Sequence, residues 1–140
     1  MQNYILVQEL LSRLNFRGKT YSPNEYPQQT YLNKADFKEK CSQKDQFVWF
    51  FANYCGYCKV VQKDWAELRN TFDNDKCEIG SFDCNDDDNR KIAADFKIKG
   101  FPTFILFKKD GRKMEFPNGL DEESRSRTSV NFKKFINKYS

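Results

Sequence analysis

The sequence contains no histidine among its 140 residues. This absence excludes proton transfer by imidazole, cysteine-histidine proteolysis and zinc sites with mixed cysteine and histidine ligands. A glycine-rich phosphate loop is also missing. The apolar stretch at residues 4–7 is interrupted at once by Gln8 and Glu9, so it is too short for the core of a secretory leader or for a membrane span. We therefore expect neither a membrane segment nor a nucleotide site.

Positive charge is in only slight excess. The formal net charge is +4, from 24 lysines and arginines against 20 aspartates and glutamates, and the basic residues are scattered. No basic run is long enough to follow a phosphate backbone, so nucleic-acid binding is not expected. The lack of a leader favours a cytoplasmic location, or a virion location if the gene is viral. A location in the lumen of the secretory pathway is expected only if a leader has been removed.

The chain length fits one domain with a real hydrophobic core. Hydrophobic residues make up 39% and aromatic residues 16% of the sequence, so apolar surface is ample. Residues 1–28 are predicted to form an N-terminal extension, with a helix near Tyr4–Leu14 and then a polar linker containing Pro23 and Pro27. This helix is interpreted as packing on the domain, with partner docking as the alternative. Residues 29–140 are predicted to form the domain itself.

Apolar patterning predicts the central elements. The uninterrupted run Phe47–Phe51 is typical of a strand that is covered on both faces. After it, apolar residues recur at spacings of three and four, which indicates one face of a helix. They are Cys58, Val61, Trp65, Leu68 and Phe72.

Shorter segments complete the prediction. Tyr31-Leu32 is predicted to form a short strand, and Asn33 is predicted to cap a helix that runs to about Cys41. Further along we predict a strand at Cys77–Phe82, a loop at Asp83–Asn89, and a short helix whose inner face carries Ile92, Ala93 and Phe96.

The Asp110-Gly111 pair lies between the apolar stretches 104–107 and 113–116. It predicts a hairpin, because glycine readily adopts the positive φ of a tight turn. A last apolar stripe indicates a C-terminal helix, with Thr128, Phe132, Phe135, Ile136 and Tyr139. The order β-α-β-α-β-α-β-β-α predicts an α/β fold with a central mixed sheet and helices on both faces.

Cys55 and Cys58 are separated by two residues at the start of the predicted helix. A thiolate attacks a disulfide sulfur, and a second thiol two residues further on can release the mixed disulfide by closing a ring. The N-terminus of a helix stabilises an anion. Cys55 has this position and Cys58 lies about one turn deeper. The pattern therefore predicts Cys55 as the attacking thiolate and Cys58 as the resolving cysteine.

The other three cysteines are Cys41, Cys77 and Cys84. A CxxC pair can also be half of a zinc site, but a closed tetrahedral site needs two more ligands at suitable spacing, and these are hard to find here. Cys77 and Cys84 lie at opposite ends of a predicted strand, roughly 20 Å apart at about 3.3 Å per residue, so they are not expected to pair. We interpret them as ordinary buried or surface thiols.

Three features occur in a characteristic order. They are Phe50-Phe51-Ala52-Asn53-Tyr54-Cys55-Gly56-Tyr57-Cys58-Lys59, then Gly100-Phe101-Pro102-Thr103, then the Asp110-Gly111 hairpin with Gly119 beyond it. In this combination the sequence resembles the thioredoxin superfamily, and most closely the single catalytic domains of thioredoxins and protein disulfide isomerases. The resemblance covers about Gln29 to Tyr139. It implies the thioredoxin fold and thiol-disulfide exchange with protein substrates.

The resemblance also assigns roles to Phe101-Pro102-Thr103. In the family the matching proline is cis and lies beside the nucleophile, which implies a cis bond at Pro102, and X-Pro is the one peptide bond where cis costs little. Substrate peptides of the family pair with the backbone next to that proline. Phe101 is therefore implied as the edge where substrate docks by β-augmentation.

Two positions depart from the family pattern. Six residues before the first cysteine, relatives place a buried aspartate or glutamate, and this chain has Trp49. The usual lysine partner on the next strand corresponds to Ser81. Since relatives use that carboxylate to accept the proton of the resolving cysteine, we expect Cys58 to lose its proton through water or another group, and resolution to be slow.

The motif residues differ from those of relatives as well. Tyr54 replaces the usual tryptophan, and Gly56-Tyr57 replaces the Gly-Pro of thioredoxins or the Gly-His of the isomerases. Cys55 therefore has no neighbouring imidazolium to stabilise its thiolate. Isomerase-type domains also carry an arginine in the loop before the last helix, and Arg125 and Arg127 are alternatives for this position.

We expect a monomeric oxidoreductase that acts on protein thiols and disulfides, needs no dissociable cofactor and is recycled by a separate reductase or oxidase. One alternative is a redox-inactive binding module on the same fold, which Trp49 and Ser81 favour. Another is metal or iron-sulfur binding by Cys55 and Cys58 contributed from two chains. Whether the chain reduces, forms or rearranges disulfides depends on its reduction potential, which the motif does not give.

Overall fold

A mixed sheet lies at the centre of the computed structural model, which describes residues 21–73 and 75–140. Its strands are β1 (Asp45–Phe51), β2 (Cys77–Asp83), β3 (Thr103–Phe107) and β4 (Lys113–Glu115). They are ordered β2-β1-β3-β4; β1 is parallel to β2 and antiparallel to β3, and β4 is antiparallel to β3. The mixed sheet predicted from the sequence is confirmed.

The helices begin where the sequence offers a capping side chain. They are α1 (Lys34–Gln43), α2 (Gly56–Thr71), α3 (Asp87–Asp95) and α4 (Ser129–Lys138), with a 3-10 turn at Glu122–Ser124. Asn33 caps α1 as predicted, because its side chain accepts a hydrogen bond of 2.9 Å from the amide of Asp36. Thr128 caps α4 in the same way. The predicted helix near residues 4–14 lies outside the described residues.

Two hydrophobic cores lie on opposite faces of the sheet, because successive side chains of β1 point to opposite sides. The α2/α4 core contains, among others, Phe47, Trp49, Phe51, Cys55, Cys58, Trp65, Phe104, Phe132 and Phe135. The α1/α3 core contains, among others, Tyr31, Phe37, Val48, Phe50, Phe82, Cys84, Ile92 and Phe107. Burial of each large apolar side chain contributes roughly 2 kcal/mol. The helix stripes predicted from spacing therefore account for both faces.

Two sequence predictions are wrong in detail. The segment at Tyr31 and Leu32 is not a strand. The amide of Thr30 donates a backbone hydrogen bond to the carbonyl of Ser81, but the amide of Ser81 donates to the Thr30 hydroxyl and not to a backbone carbonyl. The predicted loop at 83–89 ends early, since α3 begins at Asp87. The Asp86 carboxylate accepts hydrogen bonds from the amides of Asp88 and Asn89 in the first helical turn. Because Asp86 caps the helix in this way, the second half of the acidic segment is helical.

The Asp110-Gly111 hairpin is confirmed. Gly111 has a φ of +97°, and β3 and β4 pair antiparallel on either side of the turn.

The segment 21–30 packs along α2, where the Tyr21 hydroxyl accepts a hydrogen bond of 2.6 Å from Arg69 and the Tyr21 amide donates one of 2.9 Å to Asn70. This segment therefore reaches the side of the molecule that carries the cysteine pair.

Candidate active site

Cys55 is the residue that caps α2. Strand β1 ends at Phe51, residues 52–55 form the turn, and the helix begins at Gly56. Cys55 Sγ accepts a hydrogen bond of 3.2 Å from the amide of Cys58 and donates one of 3.2 Å to the carbonyl oxygen of Phe101. A sulfur in this place faces the unpaired amides and the positive end of the helix dipole, both of which favour a thiolate.

Cys58 lies deeper, and its side chain is fully buried. Burial raises the pKa of the Cys58 thiol to about 12, with a further increase from its hydrogen bond with the Cys55 side chain. A backbone hydrogen bond with Ala52 and the charge of Arg127 act in the opposite direction. Both cysteines are free thiols. Both cysteines belong to the α2/α4 core, but Cys55 lies at the helix terminus with 8% of its surface exposed, whereas Cys58 lies deeper and is fully buried.

The Phe101-Pro102 loop lies directly beside Cys55. The peptide bond between these residues is cis, as the resemblance implied. Thr103 begins β3 opposite Phe50, and its hydroxyl donates a hydrogen bond of 2.6 Å to the carbonyl of Gly100. This places the carbonyl of Phe101 over Cys55. A second cis bond, Phe116-Pro117, was not predicted and follows β4.

Exposed aromatic side chains surround the cysteines. Tyr54 and Tyr57 expose 66% and 71% of their surface. The Tyr54 ring meets Phe101 edge to face at a centroid distance of 6.3 Å. Gly56 leaves open space above the helix start, with no atom within 4 Å of the position a Cβ would take. The result is an accessible apolar rim around Cys55.

Arg127 and Arg125 are distinguished by their contacts. The Arg127 guanidinium lies 6.0 Å from the centre of the Tyr57 ring and interacts with the charge of Cys58, whose pKa it lowers. The Arg125 guanidinium instead donates a hydrogen bond of 3.2 Å to the carbonyl of Leu120. Arg127 is therefore the arginine that the fold brings toward the cysteine pair.

Trp49 fills the place where the family resemblance implied a carboxylate. Its side chain is fully buried among the rings of Tyr26, Phe51, Trp65 and Phe104. Its indole nitrogen has no hydrogen-bond partner in the described part of the chain. The described side chains that shift the pKa of Cys58 include no aspartate or glutamate. The departure seen in the sequence thus corresponds to apolar surroundings near Cys58.

Tyr26 is the residue at this site that sequence reasoning missed. It packs against the α2/α4 core from the segment before α1, and its ring stacks on Phe51. In the sequence it lies between Pro23 and Pro27 in what reads as a linker. No motif or periodicity marks it, because its position depends on contacts with β1, which is distant in the chain.

The remaining cysteines lie apart from this pair. Cys77 and Cys84 are buried and Cys41 is half-buried, and all are free thiols. Burial raises the pKa of each of them to about 12. Among the described residues, no cluster of three cysteine, aspartate or glutamate side chains is arranged to hold a metal ion. No helix in the described part of the chain is long and apolar enough to cross a membrane.

Comparison with known proteins agrees with the fold. Protein disulfide-isomerase 1 of Dictyostelium discoideum is 34% identical over 123 residues, covering 82% of this chain and 34% of that protein. A thioredoxin domain-containing protein 5 homolog of Drosophila melanogaster is 28% identical, covering 85% of this chain and 28% of its own length. The chain thus spans about a third of the length of these relatives.

A solved structure has the same fold. The first thioredoxin domain of mouse protein disulfide-isomerase A4 superposes with a TM-score of 0.61 at 19% sequence identity, covering 79% of this chain and 74% of that one. The thioredoxin family model matches residues 28–138. With the cis proline beside the helix-capping cysteine, these matches lead to one conclusion: the chain belongs to the thioredoxin family, with relatives among the protein disulfide isomerases.

Proposed function

We propose that this chain is a thiol-disulfide oxidoreductase that acts on protein disulfides, with Cys55 as the attacking thiolate and Cys58 as the resolving cysteine. The observation that carries the proposal is the position of Cys55 Sγ. It caps α2, accepts from the amide of Cys58 and lies 3.2 Å from the Phe101 carbonyl oxygen. Exchange needs an attacking sulfur at a helix terminus and a second thiol within reach, and the positions of Cys55 and Cys58 support this proposal.

The reaction proceeds in two exchanges. Cys55 Sγ forms a bond with one sulfur of the substrate disulfide, and the electron pair of the broken bond goes to the other sulfur, which takes up a proton. Cys58 then loses its proton to solvent and attacks Cys55 Sγ. The Cys55-Cys58 disulfide forms and the second substrate sulfur leaves and is protonated. Two electrons pass from the cysteine pair to the substrate, and the reverse sequence oxidises a substrate dithiol.

Substrate peptide docks along the Phe101-Pro102 loop in this proposal. The Phe101 carbonyl already lies beside Cys55, and Tyr54 and Tyr57 offer exposed apolar surface on the same side. An extended peptide pairing with this backbone would bring its disulfide to Cys55 Sγ. Pro102 and Thr103 hold the loop in place at the start of β3.

Arg127 assists the second exchange. Its positive charge lowers the pKa of Cys58, which burial raises to about 12. A cation near a buried sulfur favours the thiolate, so it opposes part of the cost of burial. In this proposal the enzyme acts as a monomer, uses no dissociable cofactor and is recycled by a partner reductase or oxidase.

The test is an equilibrium titration of the purified chain against glutathione redox buffers, with alkylated thiols at Cys55 and Cys58 counted by mass spectrometry. We expect one reversible two-electron transition. A midpoint near roughly −270 mV assigns a reductase, and one near about −180 mV assigns an oxidase or isomerase. The Cys58→Ser variant should instead accumulate glutathione on Cys55. If the wild-type chain shows no transition, the proposal is wrong.

A second candidate function is a binding module that has lost redox activity. Trp49 and Ser81 favour it, because neither can move a proton as the acid-lysine pair of relatives does. The Cys55→Ser variant separates the two functions. A binding module keeps its affinity for a captured protein substrate after this change, whereas an oxidoreductase loses turnover.

A further inference from the structure

A groove of about 450 Å³ borders the Phe101-Pro102 loop, where the end of helix α3 meets strands β3 and β4. Its apolar lining consists of Phe96, Ile98, Phe101, Pro102 and Ile105. All of these side chains except Ile105 are half-buried, so they leave apolar surface open. The carbonyl of Phe101 also accepts the 3.2 Å hydrogen bond from Cys55 Sγ. Through Phe101 the groove is therefore continuous with the candidate active site.

Lysine side chains surround this groove. Lys97 and Lys99 line it and are exposed. The ammonium of Lys113, on β4, lies 5.6 Å from the centre of the Phe96 ring. Glu115 is the acidic residue in the lining. Within residues 21–73 and 75–140, neither Lys97 nor Lys99 forms an ion pair. The groove therefore combines apolar surface with positive charge that is available to a partner.

The backbone of Lys97 has an unfavourable conformation. Its φ is +61°, and it is the one residue other than glycine with a positive φ in the described part of the chain. It follows Phe96, the last cap of α3, and its amide donates a hydrogen bond of 2.9 Å to the carbonyl of Ala94. Glycine is the usual residue at such a helix end, because a Cβ is strained in the left-handed region. The turn itself therefore does not explain a lysine here, and backbone strain of this kind is typical of binding sites.

We propose that this groove binds an acidic segment of the protein substrate, next to the disulfide that Cys55 attacks. The inference rests on the proposed function, since it names the class of substrate. An apolar side chain of the segment packs against Phe96 and Phe101, and its carboxylates lie beside Lys97 and Lys99. Burial of the apolar side chain adds affinity, and the lysines attract negative charge and repel basic segments.

The path of the substrate supports this assignment. An extended peptide that pairs with the backbone of Phe101 passes the groove, because Phe101 belongs to both. The exposed ring of Tyr54 meets Phe101 edge to face on the side of the cysteines. The residues that flank the substrate cysteine are therefore the ones that reach Lys97 and Lys99.

The test compares two peptides that differ only in charge. Each has one cysteine, held as a mixed disulfide with thionitrobenzoate, with a leucine and charged residues on both sides; the charged residues are aspartates in one peptide and lysines in the other. Cys55 Sγ bonds to the peptide sulfur, and the electron pair of the broken bond leaves with thionitrobenzoate, whose colour reports the rate. We expect the reduced chain to react roughly tenfold faster with the acidic peptide. Replacing the leucine with serine should slow the acidic peptide by about threefold.

Single substitutions locate the source of the preference. Lys97→Gly and Lys99→Gln should each reduce the ratio of the two rates by about threefold. The matched control is Lys109→Gln, which removes an exposed lysine from the hairpin at the end of the sheet opposite to Cys55. This variant should keep the ratio of the wild-type chain. If it lowers the ratio as much as Lys99→Gln does, the preference comes from net charge and the groove is not the site.

A neutral disulfide separates the inference from the proposed function. The wild-type chain should reduce bis(2-hydroxyethyl) disulfide, and failure to do so contradicts the proposed function itself. If the chain reduces this compound but reacts equally fast with both peptides, the acidic preference is wrong and the proposed function stands.

The melting temperature of Lys97→Gly tests the argument from strain. Because glycine adopts a positive φ without strain, we expect this variant to melt about 2–5 °C higher while its preference for the acidic peptide falls. A lower melting temperature would show that the lysine side chain stabilises the turn, and would overturn its assignment to substrate binding.

Discussion

The two cores on either side of the sheet treat buried polar groups differently. In the α1/α3 core the Tyr31 hydroxyl donates a hydrogen bond of 2.7 Å to Gln46, whose amide in turn bonds the carbonyls of Lys40 and Lys44. In the α2/α4 core the Tyr26 hydroxyl and the indole nitrogens of Trp49 and Trp65 have no partner among residues 21–73 and 75–140. Both cores are aromatic, but one satisfies its polar atoms and the other leaves three donors open.

The difference between the two cores correlates with the position of the cysteine pair. The unsatisfied donors belong to the core that also contains Cys55 and Cys58, and the satisfied network lies on the face that has no part in the proposed reaction. Buried donors without partners lower stability, but they are available to stabilise charge that exists for part of a reaction cycle. We therefore expect changes in the α2/α4 core to alter redox chemistry, and changes in the α1/α3 core to alter stability.

The largest expected effect is on turnover. Cys55→Ser should reduce insulin disulfide reduction by roughly a thousandfold or more, because the hydroxyl that replaces the thiolate is a far weaker nucleophile. Cys41→Ser, a change to a half-buried thiol that packs against the α1/α3 core, is the matched control and should keep nearly full activity. If Cys41→Ser abolished activity as well, the functional division between the two cores would be wrong.

The next largest effect is on stability. Phe37 is buried in the α1/α3 core against the rings of Tyr31, Phe82, Phe96 and Phe107. Phe37→Ala should lower the free energy of unfolding by about 3–5 kcal/mol, through lost burial and the cavity left behind. Urea denaturation measures this loss. The midpoint potential of the Cys55-Cys58 pair, measured well below the denaturation midpoint, should stay unchanged; a shift would show that the two cores are coupled.

Both cores contain buried thiols with a raised pKa, and stability at alkaline pH tests this shared property. Burial raises the pKa of Cys58 and Cys77 in one core and of Cys84 in the other to about 12, above an ordinary value near 9.0. Between these values the unfolded chain binds fewer protons than the folded chain, so stability falls as pH rises. Each of these thiols contributes at most about 1.4 kcal/mol of loss per pH unit.

Melting temperatures from about pH 8 to pH 10.5 measure this loss. The oxidised protein should lose less than the reduced protein, because Cys58 in a disulfide no longer titrates. Cys84→Ala should reduce the loss by a similar amount from the opposite core. Identical pH curves for the reduced and oxidised protein would contradict the raised pKa of Cys58.

Local patterns in the sequence predicted the elements that carry the cysteine pair. The run Phe47–Phe51 gave β1, the stripe from Cys58 to Leu68 gave the buried face of α2, and Asp110-Gly111 gave the hairpin. Each of these depends on residues close together in the chain. The cis bond at Pro102 came from the family resemblance and not from the local pattern, because an isolated Gly-x-Pro-Thr is compatible with an ordinary turn.

What could not be predicted depends on contacts between distant segments. Tyr31 has strand-like composition, but its hydroxyl reaches Gln46 over Gly80, where a Cβ would collide with it, and the segment does not pair as a strand. The choice between Arg125 and Arg127 depends on the path of a polar loop. Tyr26 lies in a proline-flanked segment, and its place against the α2/α4 core follows from stacking on Phe51.

Tyr31→Phe and Tyr26→Phe each remove one hydroxyl, one from each core, so they compare the two cores directly. Their effects on stability should be the smallest of those considered. Tyr31→Phe leaves the Gln46 side-chain oxygen without its 2.7 Å donor, so it should lower the free energy of unfolding by about 1–3 kcal/mol. Tyr26→Phe breaks no hydrogen bond and removes an unsatisfied polar atom, so its stability should be unchanged or slightly higher. Urea denaturation of both reduced variants measures the contrast. Equal losses would mean that the Tyr26 hydroxyl is bonded in the folded protein, and that the difference between the cores does not lie in their polar atoms.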